Sequence, residues 1–247
     1  MLDSANERGN TVNETQELQD RIWRYYQDTN PDHFTMSHPR YSFLASRCSQ
    51  GERVLNIGCG DGELEVMLQK RGAVVFALDP STETVAKLRD SLNLNQKDSV
   101  KQGHSQAIPF DENSFDVVIM TEVLEHLTDA ALSETLKEVL RVLAPGGRFI
   151  GTVPFQEDIE KGMIFCPHCQ HIFHQRGHLQ SFTCRRLESL LVENGFQIKK
   201  CHVRAFANWG ARSIRGLARA MFRHVLGRLK EALVSPNIYF ESIKRAE

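Results

Sequence analysis

The amino-acid sequence lacks the long apolar segments of a membrane-spanning chain. None of its apolar runs approaches the roughly 20 residues that a transmembrane helix requires. The N-terminus is polar and lacks the apolar core of a secretory signal peptide. The six cysteines of such a chain favour metal binding or packing over a disulfide framework. We therefore expect a cytoplasmic protein.

The sequence also lacks an internal repeat and an excess of either charge. Its net charge of -1 indicates no particular class of partner. A hydrophobic content of 41% and a charged content of 25% are ordinary for a globular protein. A chain of 247 residues can form one α/β domain with an insertion. We predict a disordered terminus over residues 1–15 and a single domain over residues 16–247.

A glycine-rich turn follows the first apolar strand of that domain. Residues 53–62 read RVLNIGCGDG, in which the glycines let the backbone turn sharply and approach a ligand that a Cβ would block. A second apolar run ends in Asp79, 21 positions after Gly58. A carboxylate at the tip of the second strand can accept hydrogen bonds from both hydroxyls of a ribose. This arrangement predicts a nucleoside-binding α/β domain.

The glycine spacing distinguishes between nucleoside ligands. A dinucleotide fingerprint requires its third glycine at position 63, where this chain has Glu63, and the phosphate-binding P-loop sequence is absent. Asp61 and Glu63 would repel a pyrophosphate, whereas they suit a ligand that carries an ammonium group and a sulfonium centre. The spacing therefore disfavours a Rossmann dehydrogenase.

These residues resemble motif I of the class I S-adenosylmethionine-dependent methyltransferases. The resemblance continues in order through GHSQAIPF at 103–110, FDVVIM at 115–120, TEVLEHL at 121–127 and LAPGGRFI at 143–150. The segment at 121–127 is similar to that of the ubiquinone-biosynthesis enzymes. The resemblance implies S-adenosylmethionine as the cofactor, with these binding residues: Arg40, Gly58, Gly60, Asp79, His104, Ser105 and Thr121. Two positions depart from the family, which usually has acids where this chain has Asn56 and His104.

The alternation of strands and helices predicts a Rossmann-like, mostly parallel sheet. Strands are expected near 53–58, 74–79, 98–102, 115–120, 147–153, 196–204 and 238–243. In the resembling fold the last of these seven strands is antiparallel and lies between strands five and six. Residues 155–182 interrupt the pattern as an insertion after strand five.

The insertion holds two cysteines and four of the ten histidines. Cys166 and Cys169 have the C-x-x-C spacing of a zinc half-site, and His174 and His178 follow with H-x₃-H spacing. The spacing predicts one closed, structural Zn²⁺ site that orders a lid or substrate wall. His168 or His171 could replace one of these histidines. In particular, His178 occupies the place of a substrate-proximal histidine in the resembling enzymes, which would leave His171 as the fourth ligand.

A basic helix is predicted near the C-terminus, over residues 211–230. Arginines at 212, 215, 219 and 223 form one stripe of it, and no acid occurs between Glu193 and Glu231. The stripe is either an ordinary solvated face or a surface for an anionic ligand or membrane. No nucleic-acid-binding motif accompanies it.

Methyl transfer to a hydroxyl requires a general base, and two histidines are candidates. His126 follows strand four at the open end of the crevice, and His178 is the second candidate. Our first hypothesis is a methyltransferase that acts on a small-molecule or glycan acceptor, at oxygen or nitrogen. The alternatives are a non-catalytic nucleoside-binding module that recruits a partner and an RNA methyltransferase.

Overall fold

The computed structural model describes residues 37–91, 98–206 and 236–245, together with residues 17, 18, 21, 22 and 25. The disordered terminus predicted over 1–15 and the basic helix predicted over 211–230 lie outside these residues. Within the described part of the chain, no helix is long and apolar enough to cross a bilayer.

Helices and strands alternate along most of the described chain. The helices are α1 (His38–Ala45), α2 (Glu63–Lys70), α3 (Thr82–Ser91), α4 (Asp129–Val142) and α5 (Cys184–Glu193), with 3₁₀ turns at Leu124–His126 and Ile159–Gly162. The strands are β1 (Arg53–Ile57), β2 (Val74–Asp79), β3 (Val100–Gln102), β4 (Phe115–Thr121), β5 (Leu143–Pro154), β6 (Met163–Phe165), β7 (Ile172–His174), β8 (Phe196–Arg204) and β9 (Asn237–Lys244).

Seven strands form one sheet in the order β3-β2-β1-β4-β5-β9-β8. Strands β1 to β5 pair in parallel, and β9 pairs antiparallel with both β5 and β8. The predicted Rossmann-like sheet is therefore confirmed, including the late antiparallel strand between the fifth and sixth. The central strands are buried on both faces, as continuous apolar runs require when helices cover a parallel sheet.

Helix ends in this fold carry local signals that the sequence contains. The hydroxyls of Thr128 and Thr183 accept backbone N–H groups at the starts of α4 and α5. Gly195 follows α5 with a φ of +90°, which is the left-handed conformation that glycine adopts without a Cβ penalty. The amphipathic helices then bury their apolar faces on the sheet.

The insertion leaves the sheet and returns to it at one place. Phe155 bridges Phe182, and the N–H of Gln156 donates to the carbonyl of Phe182 at 2.8 Å. Between these points β6 and β7 form a two-stranded hairpin of their own, in which Met163 pairs with His174 and Phe165 pairs with Ile172. The hairpin base therefore lies near the sheet, and the loop at 166–171 forms its tip.

Candidate active site

The carboxyl ends of the parallel strands meet at one edge of the sheet, which is where open α/β sheets bind ligands. Backbone hydrogen bonds tie the loops of this edge together. The N–H of Gly58 donates to Leu78 at 2.8 Å, that of Gly103 to Asp79 at 3.1 Å, and that of Glu122 to Thr152 at 2.9 Å. The glycine turn, the tip of β2 and the loops after β3 and β4 are therefore neighbours.

The glycine turn after β1 depends on the absence of side chains. Gly58 has a φ of +81°, and a Cβ added there would lie 2.7 Å from Cγ2 of Val123. Gly62 has a φ of +78°, and its added Cβ would lie 2.3 Å from Cδ1 of Leu88. Both the conformation and the close approach therefore require glycine.

Asp79 ends β2 and is buried at the base of this turn. Its carboxylate accepts the N–H of Ser81 at 2.9 Å and the N–H of Gly60 at 3.4 Å, and the Cys59 thiol approaches it at 3.7 Å. Burial raises the pKa of Asp79 above its usual value. Because a carboxylate offers about four lone-pair positions, Asp79 retains capacity for a ribose hydroxyl.

Arg40 on α1 lies against the loop that follows β4. One of its terminal nitrogens donates to the Ser37 hydroxyl at 2.9 Å, and the other lies 3.6 Å from the Glu122 carboxylate. Its Nε is buried without a hydrogen-bond partner among the described residues. A half-buried guanidinium whose buried Nε is unused fits the carboxylate of an amino-acid cofactor.

The other predicted cofactor residues lie at the same edge with different surroundings. His104 is exposed in the loop after β3. The Ser105 hydroxyl is bonded to Thr135 and the Thr121 hydroxyl to Thr152, each at 2.8 Å. In this arrangement both hydroxyls link neighbouring elements, and their predicted cofactor contacts stay predictions.

The unusual Asn56 has an acid beside it that sequence spacing did not indicate. Its Nδ2 donates to Oε1 of Glu65 on α2 at 2.7 Å, and Glu65 is fully buried. Burial raises the pKa of Glu65 to about 8. Together Asn56 and Glu65 present an amide and a carboxyl beneath the glycine turn, where the resembling family usually has an acid at position 56.

A cluster of histidines forms where the insertion folds back on the loop after β4. The N–H groups of Leu179 and Gln180 donate to the Glu125 carbonyl at 2.7 and 3.0 Å. This pairing brings the ring of His178 to 4.6 Å from that of His126, centroid to centroid. The two histidines predicted as candidate bases are therefore neighbours.

The hydrogen bonds of these rings define which nitrogens carry protons. Nδ1 of His178 contacts the Glu157 carboxylate, and Nδ1 of His126 lies 3.1 Å from the Gly177 carbonyl. The Gly177 carbonyl can only accept a hydrogen bond, and the same holds for Glu157 when its carboxyl group is ionised. Both Nδ1 atoms are therefore donors. Burial, reinforced by the nearby His178, holds the pKa of His126 well below its usual value. The neutral ring of His126 therefore has its basic lone pair on Nε2.

Glu157 is the residue of this cluster that sequence reasoning missed. Burial alone would raise its pKa, but the hydrogen bond and charge of His178 outweigh burial and lower it. Glu157 is thus a carboxylate at neutral pH. The one available signal was an acid three residues after strand five, which is too common to identify a partner 21 positions away.

The four predicted zinc ligands do not form one site among the described residues. No three of their donor atoms lie within 4.8 Å of one another. The hairpin register explains the separation. Cys166 follows Phe165, which pairs with Ile172, and His174 lies two residues, or about 7 Å, beyond Ile172. In addition, Nδ1 of His174 accepts the backbone N–H groups of Arg176 and His178. The structure therefore does not bring the four predicted ligands together at one closed site.

Two other groups in the described residues have the donor spacing of a metal site. They are Glu125 with His126 and His178, and Glu157 with His174 and His178. Both carboxylate oxygens of Glu125 are buried without a hydrogen-bond partner, and burial followed by the neighbouring Glu122 raises its pKa well above its usual value. A divalent cation bound among these groups would offset the free-energy cost of burying the Glu125 carboxyl group without a partner.

At the hairpin tip, Cys166 and Cys169 form a separate thiol pair. The backbone N–H groups of Cys169 and His168 point at the Cys166 sulfur and lower the pKa of its thiol. All six cysteines are free thiols. The alternative fourth zinc ligand, His171, also lies at this tip and not with the histidine cluster.

Comparisons with known proteins agree with the fold and the glycine turn. A methyltransferase domain family matches residues 30–200. A probable S-adenosylmethionine-dependent methyltransferase of Mycolicibacterium smegmatis is 35% identical over 159 residues, which cover 64% of this chain and 57% of that protein. A ubiquinone biosynthesis O-methyltransferase of Aeromonas salmonicida is 33% identical over 109 residues, covering 42% and 44%. The chain thus spans about half the length of the curated relatives it matches.

A solved structure extends the likeness across nearly the whole chain. It is the 1,6-didemethyltoxoflavin-N1-methyltransferase of Burkholderia thailandensis, with its substrate and S-adenosylhomocysteine bound. The TM-score is 0.64 at 16% identity, and the match covers 99% of this chain and 92% of that one. With the family match over most of its length, the glycine turn and the seven-stranded sheet, the chain belongs to the class I S-adenosylmethionine-dependent methyltransferases.

Proposed function

We propose that this methyltransferase methylates a hydroxyl oxygen of a small-molecule or glycan acceptor, with His178 as the general base. The observation that carries the proposal is the hydrogen bond between Nδ1 of His178 and the Glu157 carboxylate, beside His126 at the carboxyl edge of the sheet. A hydroxyl must lose its proton during methyl transfer, so a supported base favours an oxygen acceptor over an amine.

His178 is a better base than His126 because of what lies behind each ring. When a base takes a proton, the imidazolium that forms must be stabilised. Behind His178 stands the ionised Glu157, whereas behind His126 stands the neutral carbonyl of Gly177. The burial that keeps His126 neutral also opposes its protonation. We therefore assign His178 as the base and His126 to the wall that positions the acceptor.

Glu157 and His174 act through His178 as positioning residues. Glu157 holds the proton on Nδ1, so that the lone pair of Nε2 is available to the acceptor. His174 stacks on His178 at 4.9 Å between ring centroids and accepts the backbone N–H of His178 at 3.0 Å. Both contacts restrict His178 to one orientation.

The cofactor supplies an electrophilic methyl group on a sulfonium centre. The chain binds it through the glycine turn, Asp79 and Arg40, whose unused buried Nε fits its carboxylate. The segment at 174–180 covers the loop after β4 and excludes water from the acceptor side. Oxygen is also the acceptor atom in the name of the ubiquinone biosynthesis O-methyltransferase of Aeromonas salmonicida, to which the chain is similar.

The test uses matched acceptors and isotope-labelled cofactor. Purified protein is incubated with pairs of compounds that differ only in a hydroxyl or an amine, including phenols, catechols and sugars, and methylated products are detected by mass spectrometry. We expect turnover of hydroxyl acceptors and loss of that turnover in His178→Ala. Products methylated only on nitrogen, or His178→Ala at wild-type rate, would reject the assignment.

We also propose a reducing, cytoplasmic location. The support is that all six cysteines are free thiols, a state that reducing compartments maintain. Labelling of thiols in intact cells before and after lysis, with detection of this chain, measures their state directly. A chain that is already oxidised in the cell would contradict the proposed location.

A further inference from the structure

The tip of the β6–β7 hairpin carries two thiols that the methyl-transfer site does not use. We propose that Cys166 and Cys169 form half of a zinc site, which the same two cysteines of a second copy of this chain complete. The proposal is independent of the acceptor and of His178, since the tip and the histidine cluster lie at opposite ends of the hairpin.

The loop between the two cysteines has the geometry of a metal-binding turn. The carbonyl of Cys166 accepts the N–H of Gln170 at 2.8 Å, and the N–H of Cys166 donates to His171 at 2.9 Å. Gln170 has a φ of +59°, a left-handed conformation that closes the turn. The two cysteines are thus held on one tight turn, as a zinc half-site requires.

The thiol pair is incomplete within the described residues of one chain. Zinc in structural sites takes about four ligands in a tetrahedron, whereas neither cysteine belongs to any described group of three possible ligands. A two-fold axis at the tip would bring a second pair to the first. The result is a Cys₄ set, which is a common structural zinc site.

The surface around the thiols suits a second copy of itself. Met163, Ile164, Phe165 and Ile172 are 40% to 59% exposed, although they are large apolar side chains. Residues 163–175 also contain no Asp, Glu, Lys or Arg. Two copies can therefore approach across a two-fold axis without like-charge repulsion and bury apolar surface on both hairpins.

The experiment measures zinc content and molar mass on the full chain purified without chelators. We expect about one zinc for two chains, in a dimer. Removing the metal with a chelator should halve the molar mass measured by light scattering. Cys166→Ser combined with Cys169→Ser should give a zinc-free monomer. The matched control, Cys184→Ser, changes a half-buried thiol outside the hairpin and should keep both zinc and dimer.

Binding of S-adenosylmethionine, measured on the same samples, reports whether each variant is folded and should be unchanged. Three results would overturn the proposal. They are about one zinc per monomer, which means that one chain completes the site, protein without zinc, and a dimer that survives both the chelator and the double substitution. None of these results bears on the hydroxyl acceptor, so the two proposals fail separately.

Discussion

Replacing Glu157 with glutamine separates the charge of this residue from its shape. The glutamine side chain can still accept the Nδ1 proton of His178 through its amide oxygen, so the ring keeps its orientation. What disappears is the negative charge behind the imidazolium. A hydrogen bond to a charged group contributes about 1.5–3 kcal/mol, compared with about 0.5–1.5 kcal/mol for a neutral pair. The difference is about 1–1.5 kcal/mol.

That difference is a rate effect because the imidazolium forms only during the reaction. At about 1.4 kcal/mol for a tenfold change, Glu157→Gln should lower kcat by roughly 5- to 12-fold. His178→Ala removes the base itself and should lower kcat by about 10²- to 10⁴-fold. KM for the cofactor should stay near wild type in both variants, since neither residue lies at the glycine turn or at Asp79.

The assay is steady-state transfer of labelled methyl groups, with cofactor affinity measured by calorimetry. Glu160→Gln is the matched control, because it removes an exposed carboxylate from the same segment. Glu157→Asp should recover part of the lost rate, because it restores the charge. Equal rates in Glu157→Gln and Glu160→Gln would refute the role of the carboxylate. A parallel loss of cofactor affinity would mean that the substitution disturbed the fold instead.

Three further predictions concern the cofactor edge. Asp79→Ala should weaken S-adenosylmethionine binding by about 1.5–3 kcal/mol, seen by calorimetry, and unchanged affinity would remove the ribose assignment. Gly58→Ala should lower the melting temperature more than Gly146→Ala, because both glycines have positive φ but only the first would clash. Glu65 binds its proton more tightly in the folded state than in the unfolded state. The free energy of unfolding of the wild type should therefore fall as the pH rises from about 4.5 to about 8. Denaturant titrations of Glu65→Gln should show a flatter dependence of this free energy on pH.

The features that sequence predicted well are those with local causes. The turn at Gly58 and Gly62 follows from positive φ values that glycine adopts freely, and these residues lie close together in the chain. Asp79 is placed by strand pairing, since β1 and β2 run parallel in a register that brings Ile57 opposite Leu78. The alternation of strands and helices predicted the parallel sheet, whereas the place of the antiparallel last strand came from the resemblance to the methyltransferase fold.

The separation of the four predicted zinc ligands could not be predicted, because ligand spacing along a chain does not determine distance in a hairpin. A spacing of C-x₂-C-x₄-H-x₃-H is compatible with a compact loop in which all four side chains converge. Pairing of Phe165 with Ile172 instead extends the chain and places His174 at the end of the hairpin nearest the sheet. The register of a hairpin depends on packing between its strands, and the spacing of four ligand residues gives no information about that packing.

The contact between Glu157 and His178 was missed for a related reason. These residues are 21 positions apart, and they meet only because the insertion returns at Phe182 and its last turn bonds to the Glu125 carbonyl. Sequence analysis named His178 both as a metal ligand and as a base, since a histidine suits either role. The ionised Glu157 beside Nδ1 supports the role as a base that we propose. His174 and His178 are then not available to the cysteines, and His168 and His171 form no group of three possible ligands with them among the described residues. A second chain is therefore the source from which we expect the missing ligands.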